Sequence, residues 1–457
     1  MDHDVIVVGG GAAGLAAMAG LEDQDALLLE RADRLGGRLH SLPRGAAWIN
    51  LGAHLLTGGQ SQIKRLVDDL GLEVLPIPGA KTALWFRGSL FRYRRAEAYP
   101  FSLPLSMSER IALIRVGVRL RVMVEIWRRR SRRRPGEDAV AFHRRLSELQ
   151  SGRTFADLLV GVPKPVAEIF ETAARRSAAE AGELTLGAAL GLFAALWVSG
   201  DSASVVNIDG GSGRYGQAWR ERLGQRAVLG AEVFEIAESG DGVEVRYRSG
   251  GVETTLSARH LIVAVPAPEV ANLVEVPGTV RHELSTLHYG AFVCMGVLTG
   301  ESGPVQWDDV YAITAPGLSF SMLFNHTNPM GVAARGAGKS LMCYAGGAPA
   351  QSLLNASDDA IRAAFLADLE RVLPGVGRTI TETVVQRWPA GNFYRGPDTR
   401  LGELLRWNSR PEGRVRLAGD YFGPLGGTLE AATVSGLAAA GEAIAAMRPL
   451  PIKALDK

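Results

Sequence analysis

The apolar positions along the chain fall into three kinds of pattern. Continuous apolar runs within Met1–Gly9, Gln24–Glu30 and Ala258–Pro266 predict strands covered on both faces, as in a parallel sheet. Alternating runs predict half-exposed strands. These are Ala231–Ile236 and Val243–Tyr247, joined across Gly240-Asp241-Gly242, and the stretch Ala83–Tyr93, which turns at Arg87-Gly88-Ser89. Ala291–Leu298, Phe320–Phe324 and Ser340–Tyr344 read as further strands. Helical periodicity marks Gln62–Leu70, Thr154–Ala181, Leu184–Trp197 and Asp358–Leu373. Ser106-Met107-Ser108-Glu109 supplies a capping box that opens one more long helix. Near the end, Arg414–Tyr421 reads as a strand entering a Gly-Asp turn, and Gly426-Gly427 opens a helix running past Gly436.

The first strand runs directly into Gly9-Gly10-Gly11-Ala12-Ala13-Gly14. Gly9, Gly11 and Gly14 form G-x-G-x-x-G between a strand and a helix, the dinucleotide fingerprint. Gly9 permits the tight turn, Gly11 the close approach of a pyrophosphate, and Gly14, next to Ala13, the packing of helix on strand. The second strand ends in Glu30, sixteen residues after Gly14, where a ribose hydroxyl partner belongs. That much does not separate the dinucleotides. Glu30-Arg31-Ala32-Asp33-Arg34-Leu35-Gly36-Gly37-Arg38 follows at once, an E-x-x-x-R-x-G-G-R pattern that a nicotinamide site does not need.

The order of these elements predicts an α/β protein. A Rossmann-type, doubly wound domain with a βαβ N-terminus covers 1–80, 205–285 and 385–457. An α+β substrate domain, built from 81–204 and 286–384, is interleaved with it. At 457 residues the chain can bury a large core and an internal cleft. Its 50 basic residues balance 48 acidic ones, so nothing in the charge points to nucleic acid. Two cysteines, Cys294 and Cys343, make no disulfide framework and fit a reducing compartment, and no metal-ligand cluster is visible. Met1-Asp2-His3-Asp4 is acidic where a secretory signal is basic, so a cytoplasmic location is expected. The uncharged run Leu184–Gly200 falls just short of the ~18 residues of a span and reads as a buried helix.

One cluster breaks the even charge. Between Arg110 and Arg134 the long helix carries ten arginines, interleaved with Ile111, Leu113, Ile114, Val118, Val122, Ile126 and Trp127. Either one face meets lipid while arginines meet headgroups, or the arginines complement the helix dipole and are otherwise solvated. The oligomeric state stays open, with a dimer compatible.

Both glycine motifs in register identify a resemblance to the flavin amine oxidase superfamily, which includes protoporphyrinogen oxidase and the phytoene desaturases. The resemblance implies noncovalent FAD, with Gly36, Gly37 and Arg38 along its pyrophosphate and Val233 meeting adenine through its backbone. Asn50-Leu51-Gly52-Ala53-His54-Leu55 is similar to the segment beside the isoalloxazine ring. Asn50 and Leu55 depart from it, while Gly52 and Ala53 keep it. His54 is either a proton carrier titrating near neutrality or a supporting, hydrogen-bonded histidine. Gly419 and Asp420 fall on the phosphate and ribityl side, Thr428 and Leu429 beside the pyrimidine ring.

The family's lysine beside flavin N5 is replaced here by Cys294, so fast reoxidation by oxygen does not follow. Its linking cysteine is replaced by Asn392. Of its aromatic cage, one tyrosine falls at Thr428 and the other near Phe393 or Tyr394. His54, Tyr394 and Cys294 are thus the candidate pocket residues, and Trp388, Phe393, Tyr394 and Tyr421 candidates for an apolar lining. The implied reaction is hydride removal from a C–N bond of a mainly apolar small molecule. A C–C desaturase or porphyrinogen-type oxidase is the alternative, and a flavin-free binding module like the Rab GDP-dissociation inhibitors a remoter one.

Overall fold

The computed structural model describes residues 1–77, 82–93, 95–132, 134–137, 139–194, 205–330 and 338–447. The first strand, His3–Val8, organises what surrounds it. Val5 and Val7 enter the core on one face, Ile6 and Val8 the core on the other, as the two-residue period of a strand requires. His3–Val8 is flanked by parallel strands Ala26–Glu30 and Val252–Val263, with Ala227–Leu229 beyond the former and Val415–Leu417 beyond the latter. The long strand Val252–Val263 also pairs, through its first half, with the antiparallel hairpin Glu232–Glu238 and Val243–Ser249. Seven strands result, covered on one face by helices Ala12–Gly20, Gln62–Asp69, Gly213–Leu223 and Leu429–Met447. Ala267–Leu273, Gly278–Ser285 and Gly402–Asn408 cover the other.

Two of these helices pack backbone to backbone. A Cβ on Gly436 would stand 2.0 Å from the Ala13 carbonyl oxygen, and one on Gly20 would stand 2.7 Å from the Ala440 Cβ. The last helix therefore lies on the first. Its Glu430 carboxylate accepts the N–H groups of Gln62 and Ile63 at 2.9 and 3.0 Å, capping a third.

The second domain holds another seven-stranded sheet, in the order Ile380–Tyr394, His288–Thr299, Lys339–Gly346, Met322–Asn325, Ala312–Thr314, Thr82–Phe86 and Ser89–Arg92. The first hairpin turns at Arg87 and Gly88, both at positive φ. One face of the sheet packs on helix Asp358–Val372. The other is a smaller cluster of Cys294, Tyr311, Met322, Phe324, Met342 and Tyr344, which includes Leu55 of the cofactor segment at its edge. Strand Ile380–Tyr394 pairs with His288–Thr299 along its whole length, so the boundary expected at 385 moves to the end of that strand.

A helical layer completes this domain. Helix Met107–Arg130 carries both halves of the expected capping box. The single helix expected over Thr154–Ala181 is broken: Gly161 is left-handed and Pro163 follows it, dividing Ala156–Leu159 from Lys164–Ala174. Leu186–Ala194 is helical and buried, and residues 195–197 of that expected helix lie outside the described residues. Among the described residues no helix is long and apolar enough to cross a membrane.

Candidate active site

The cradle begins at Gly9, which holds φ +105 with an added Cβ 2.7 Å from the Ala264 carbonyl oxygen. Gly14 is packed tighter still, because an added Cβ would lie 1.8 Å from the Gly9 oxygen. Gly11 is the opposite case. Nothing lies within 4 Å of an added Cβ, and the helix it N-caps has no side-chain cap. That helix end presents bare N–H groups to an open concavity, which suits a pyrophosphate.

Glu30 accepts the Gly10 N–H at 2.6 Å and the Ala32 N–H at 2.7 Å, leaving lone pairs on both oxygens for ribose hydroxyls. Arg31 beside it is exposed. The Gly230 and Ala231 N–H groups donate to the carbonyls of Ala32 and Glu30, which brings Val233, next to a bulge, toward that edge.

The second glycine pair lies on the first. The Gly36 N–H donates to the Gly10 carbonyl at 2.8 Å, and an added Cβ on Gly37 would come 3.1 Å from the Gly11 Cα. Arg38 turns toward the C-terminal segment: it donates to Asp420 at 3.0 Å and to the Gly391 carbonyl at 3.1 Å. The Tyr289 hydroxyl donates to the other Asp420 oxygen at 2.7 Å. A Cβ on Gly52 would meet the Arg38 carbonyl at 2.1 Å, and Ala53 donates to that same oxygen. Gly419, with its hydrogen bond to Ser435, leads into Asp420; Thr428 caps the last helix by accepting the Ala431 N–H, and Leu429 is its first residue. Segments hundreds of residues apart thus share one wall.

Across from that wall stands an aromatic box on the second sheet. Phe324 stacks on Tyr344 at 5.7 Å and lies 5.6 Å from Tyr311, while Phe292 meets Tyr344 edge-on at 5.2 Å. His54 enters from the cofactor segment, its ring 4.6 Å from both Phe324 and His326. Asn207 ties the two sides together, donating to the His54 carbonyl at 2.6 Å and accepting the Tyr311 hydroxyl at 3.0 Å. His54 Nδ1 faces the Gly52 carbonyl at 3.2 Å, whereas its Nε2 and both His326 nitrogens are buried without a partner. Burial pushes the His54 imidazole down to about 4 and that of His326 well down too. Of the two alternatives for His54, burial disfavours the proton carrier titrating near neutrality and fits the supporting, hydrogen-bonded histidine.

Of the three pocket candidates, His54 and Cys294 border this box. Burial pushes the Cys294 thiol up to about 12, so it is a protonated, apolar wall. Tyr394 stands elsewhere, stacked on His288 at 5.7 Å and packed against the helical layer. The four aromatics expected to share a lining do not share one. Trp388 borders the box and donates to the Leu51 carbonyl, but Phe393 and Tyr421 are fully buried in the core under the first sheet. Sequence reasoning missed Asn207, Tyr311, His326 and Tyr344. The polar run Asn325-His326-Thr327-Asn328 directly after an apolar stretch was a usable signal.

Residues 12–444 match the family model for flavin containing amine oxidoreductase. A flavin-containing amine oxidase from Danio rerio is 26% identical over 278 residues, covering 58% of this chain and 50% of that protein. Amine oxidase B from Homo sapiens is 34% identical over 104 residues, 22% of this chain and 19% of that one. A putrescine oxidase from Kocuria rosea is 39% identical over 75 residues, 16% of each. The chain spans about half the length of the curated relatives it matches. Among solved structures, cyclohexylamine oxidase from Brevibacterium oxydans shares the fold at TM-score 0.77 and 20% identity, covering 98% of this chain and all of that one. Putrescine oxidase bound to putrescine does so at TM-score 0.76 and 18% identity, over 97% and 99%. The open concavity at Gly11 and the free lone pairs of Glu30 fit FAD, and Asn392, an amide, offers no thiol to link it. The chain belongs to the family of flavin-containing amine oxidoreductases.

Proposed function

We propose that this chain oxidises the C–N bond of an amine with a mainly apolar body, giving an imine that water turns into a carbonyl compound. The observation that carries the reading is the aromatic box closed by an imidazole with a free nitrogen. FAD, held by Gly11, Glu30 and the Gly36–Arg38 segment, would supply the two-electron acceptor for this oxidation. The protein's part is positioning and dryness. Tyr311, Phe324 and Tyr344 hold the apolar body and exclude water. The Gly52 carbonyl accepts a hydrogen bond from the Nδ1–H of His54, so Nε2 is left as an acceptor for the amine N–H. Neutral at pH 7, that imidazole orients the nitrogen without holding a second positive charge beside it. The N-terminal, positive end of helix Leu429–Met447, capped by Thr428, would stabilise negative charge on a reduced flavin held beside it.

The test is anaerobic reduction of the FAD-loaded protein. Amines should bleach the flavin band and yield a carbonyl product, and His54→Phe should slow bleaching by roughly 10–100-fold without releasing FAD. Bleaching by polyenes or porphyrinogens alone, with a new C=C bond as product, would replace this reading with the desaturase one.

For location, we infer that the helix Met107–Arg130 seats the protein on an anionic lipid surface from the cytoplasmic side. Met107, Ile111, Ile114, Val118, Val122 and Ile126 are all exposed, Ile111 by 57% and Val118 by 58%, and exposed arginines 115, 119, 121, 129 and 130 stand around them.

A further inference from the structure

We propose that Asn207 is a positioning residue of this site: its amide joins the two walls of the box, fixes the direction of the hydrogen bonds on both, and so decides which amines the box takes. This rests on the amine-oxidation reading and places its selectivity in a side chain that is not itself part of the aromatic lining.

His54 sits in the stretch Leu51–Leu55, which has no strand or helix of its own between Ala47–Asn50 and Leu56–Thr57. Buried carbonyls in such a stretch need donors from outside a ladder. Three of them meet side chains. The Leu51 carbonyl accepts the Trp388 indole N–H at 2.7 Å, that of Gly52 faces His54 Nδ1 at 3.2 Å, and that of His54 accepts the Asn207 amide at 2.6 Å. Asn207 is itself firmly held. It belongs to Val205–Ile208, the middle strand of a three-stranded sheet, paired with Leu56–Thr57 on one side and Val74–Pro76 on the other. Only 2% of the residue is exposed. Its other partner, Tyr311, comes from the second sheet, just ahead of Ala312–Thr314, and its backbone carbonyl accepts the Asn325 N–H at 2.8 Å.

The direction of these bonds follows from one fact: a carbonyl oxygen only accepts. The NH2 of Asn207 therefore faces His54, and Oδ1 faces Tyr311. Oδ1 has no hydrogen to give, so the Tyr311 hydroxyl donates its own at 3.0 Å and keeps lone pairs only. On the opposite wall the Gly52 carbonyl makes Nδ1 of His54 the donor and leaves Nε2 as acceptor. Both walls are thus oriented by backbone carbonyls, those of Gly52 and His54. Their free lone pairs match an occupant that brings N–H groups. Burial pushes the His54 imidazole down and the Tyr311 phenol up, so neither changes charge near neutral pH and the orientation persists there.

The same amide sets a span. Both rings pack on Phe324, His54 at 4.6 Å and Tyr311 at 5.6 Å, yet they come from different sheets. Among the described residues, no other hydrogen bond of Tyr311 reaches toward the His54 stretch. A misplacement of about 1 Å at a reacting centre costs on the order of 100-fold in rate, so a buried clasp on this span acts on turnover and on the choice of amine together.

The experiment follows anaerobic flavin reduction of the FAD-loaded protein by butylamine, benzylamine and phenethylamine. Asn207→Leu keeps the side-chain volume and makes neither bond, while Tyr311→Phe removes the hydroxyl arm and leaves Asn207 in place. Asn207→Leu should leave FAD titration unchanged, slow reduction at saturating amine by about 10–100-fold, and compress the kcat/KM ratio between the best and worst amine by about fivefold or more. Tyr311→Phe should compress that ratio in the same way, and the double variant should go no further, because both cut one link. Should Asn207→Leu fail to take up FAD, the ratio in Tyr311→Phe decides. A ratio that stays at its wild-type value while all three amines slow by one common factor, or do not slow, overturns the proposal and leaves amine oxidation standing. A wild type that none of the three amines bleaches removes the amine reading, and the proposal with it.

Discussion

Two glycines three residues apart do different work. Gly14 touches its own strand and Gly11 touches nothing, although both belong to one motif. Gly14→Ala should therefore destabilise the apoprotein by several kcal/mol, on the order of the largest single-residue effects. Gly11→Ala, at an ordinary φ of −79, should leave apoprotein melting unchanged and lower FAD affinity. Differential scanning calorimetry of the apo forms, followed by FAD titration, separates the two. Equal melting losses would show that the motif is only structural. The glycine positions were legible because a missing side chain leaves a fixed spacing in the sequence. The part played by Asn207 was not, because nothing in Val205-Val206-Asn207-Ile208 says that its amide will meet the His54 carbonyl and the Tyr311 hydroxyl.

At the scale of elements, helix Met107–Arg130 buries Leu113, Val116, Leu120 and Val124 and exposes Ile111, Ile114, Val118 and Val122. At about 3.6 residues per turn these are opposite faces, so the helix has an apolar stripe on each side. The inner stripe meets Phe155 and Phe170; the outer one meets water. Val118→Asp combined with Ile111→Asp should leave melting temperature within a few degrees and abolish co-sedimentation with anionic liposomes. Wild-type binding should weaken as salt rises through the range where a Debye length falls to roughly 8 Å. Binding that persists in the double variant would move the contact off this face. The strands and the long helices were legible because their period is local, whereas the break at Gly161-Val162-Pro163 hid inside a pattern that stayed helical on either side.

The whole molecule stores several neutral imidazoles. His40 and His54 are both pushed down to about 4 by burial, and burial holds His326 well below its ordinary value. The unfolded chain protonates the same groups near pH 6.5, so between about pH 6.5 and 4 unfolding takes up protons and stability falls as pH falls. His54 alone contributes about 2 kcal/mol of that loss at pH 5. Urea unfolding at about pH 7.5 and pH 5 should show the drop, and His54→Gln should shrink it; a midpoint independent of pH would mean that these rings are solvated. The two-domain architecture was legible from the order of strands. What faces what across the domains was not, since the box joins His54, Asn207, Tyr311 and Tyr344 from four separate segments.

The last helix lies on the first through Gly436 and Ala13, and Arg38 reaches Asp420. In the order of synthesis, this makes the earliest cofactor motif wait for the latest. The strand His3–Val8, its glycine turn and Arg38 leave the ribosome long before their partners Val252–Val263, Asp420 and Leu429–Met447 exist. Until then the apolar faces of that strand and helix have nothing to cover them, a state that favours chaperone engagement. Cofactor capture is thereby set as a step of folding that follows translation of Leu429–Met447.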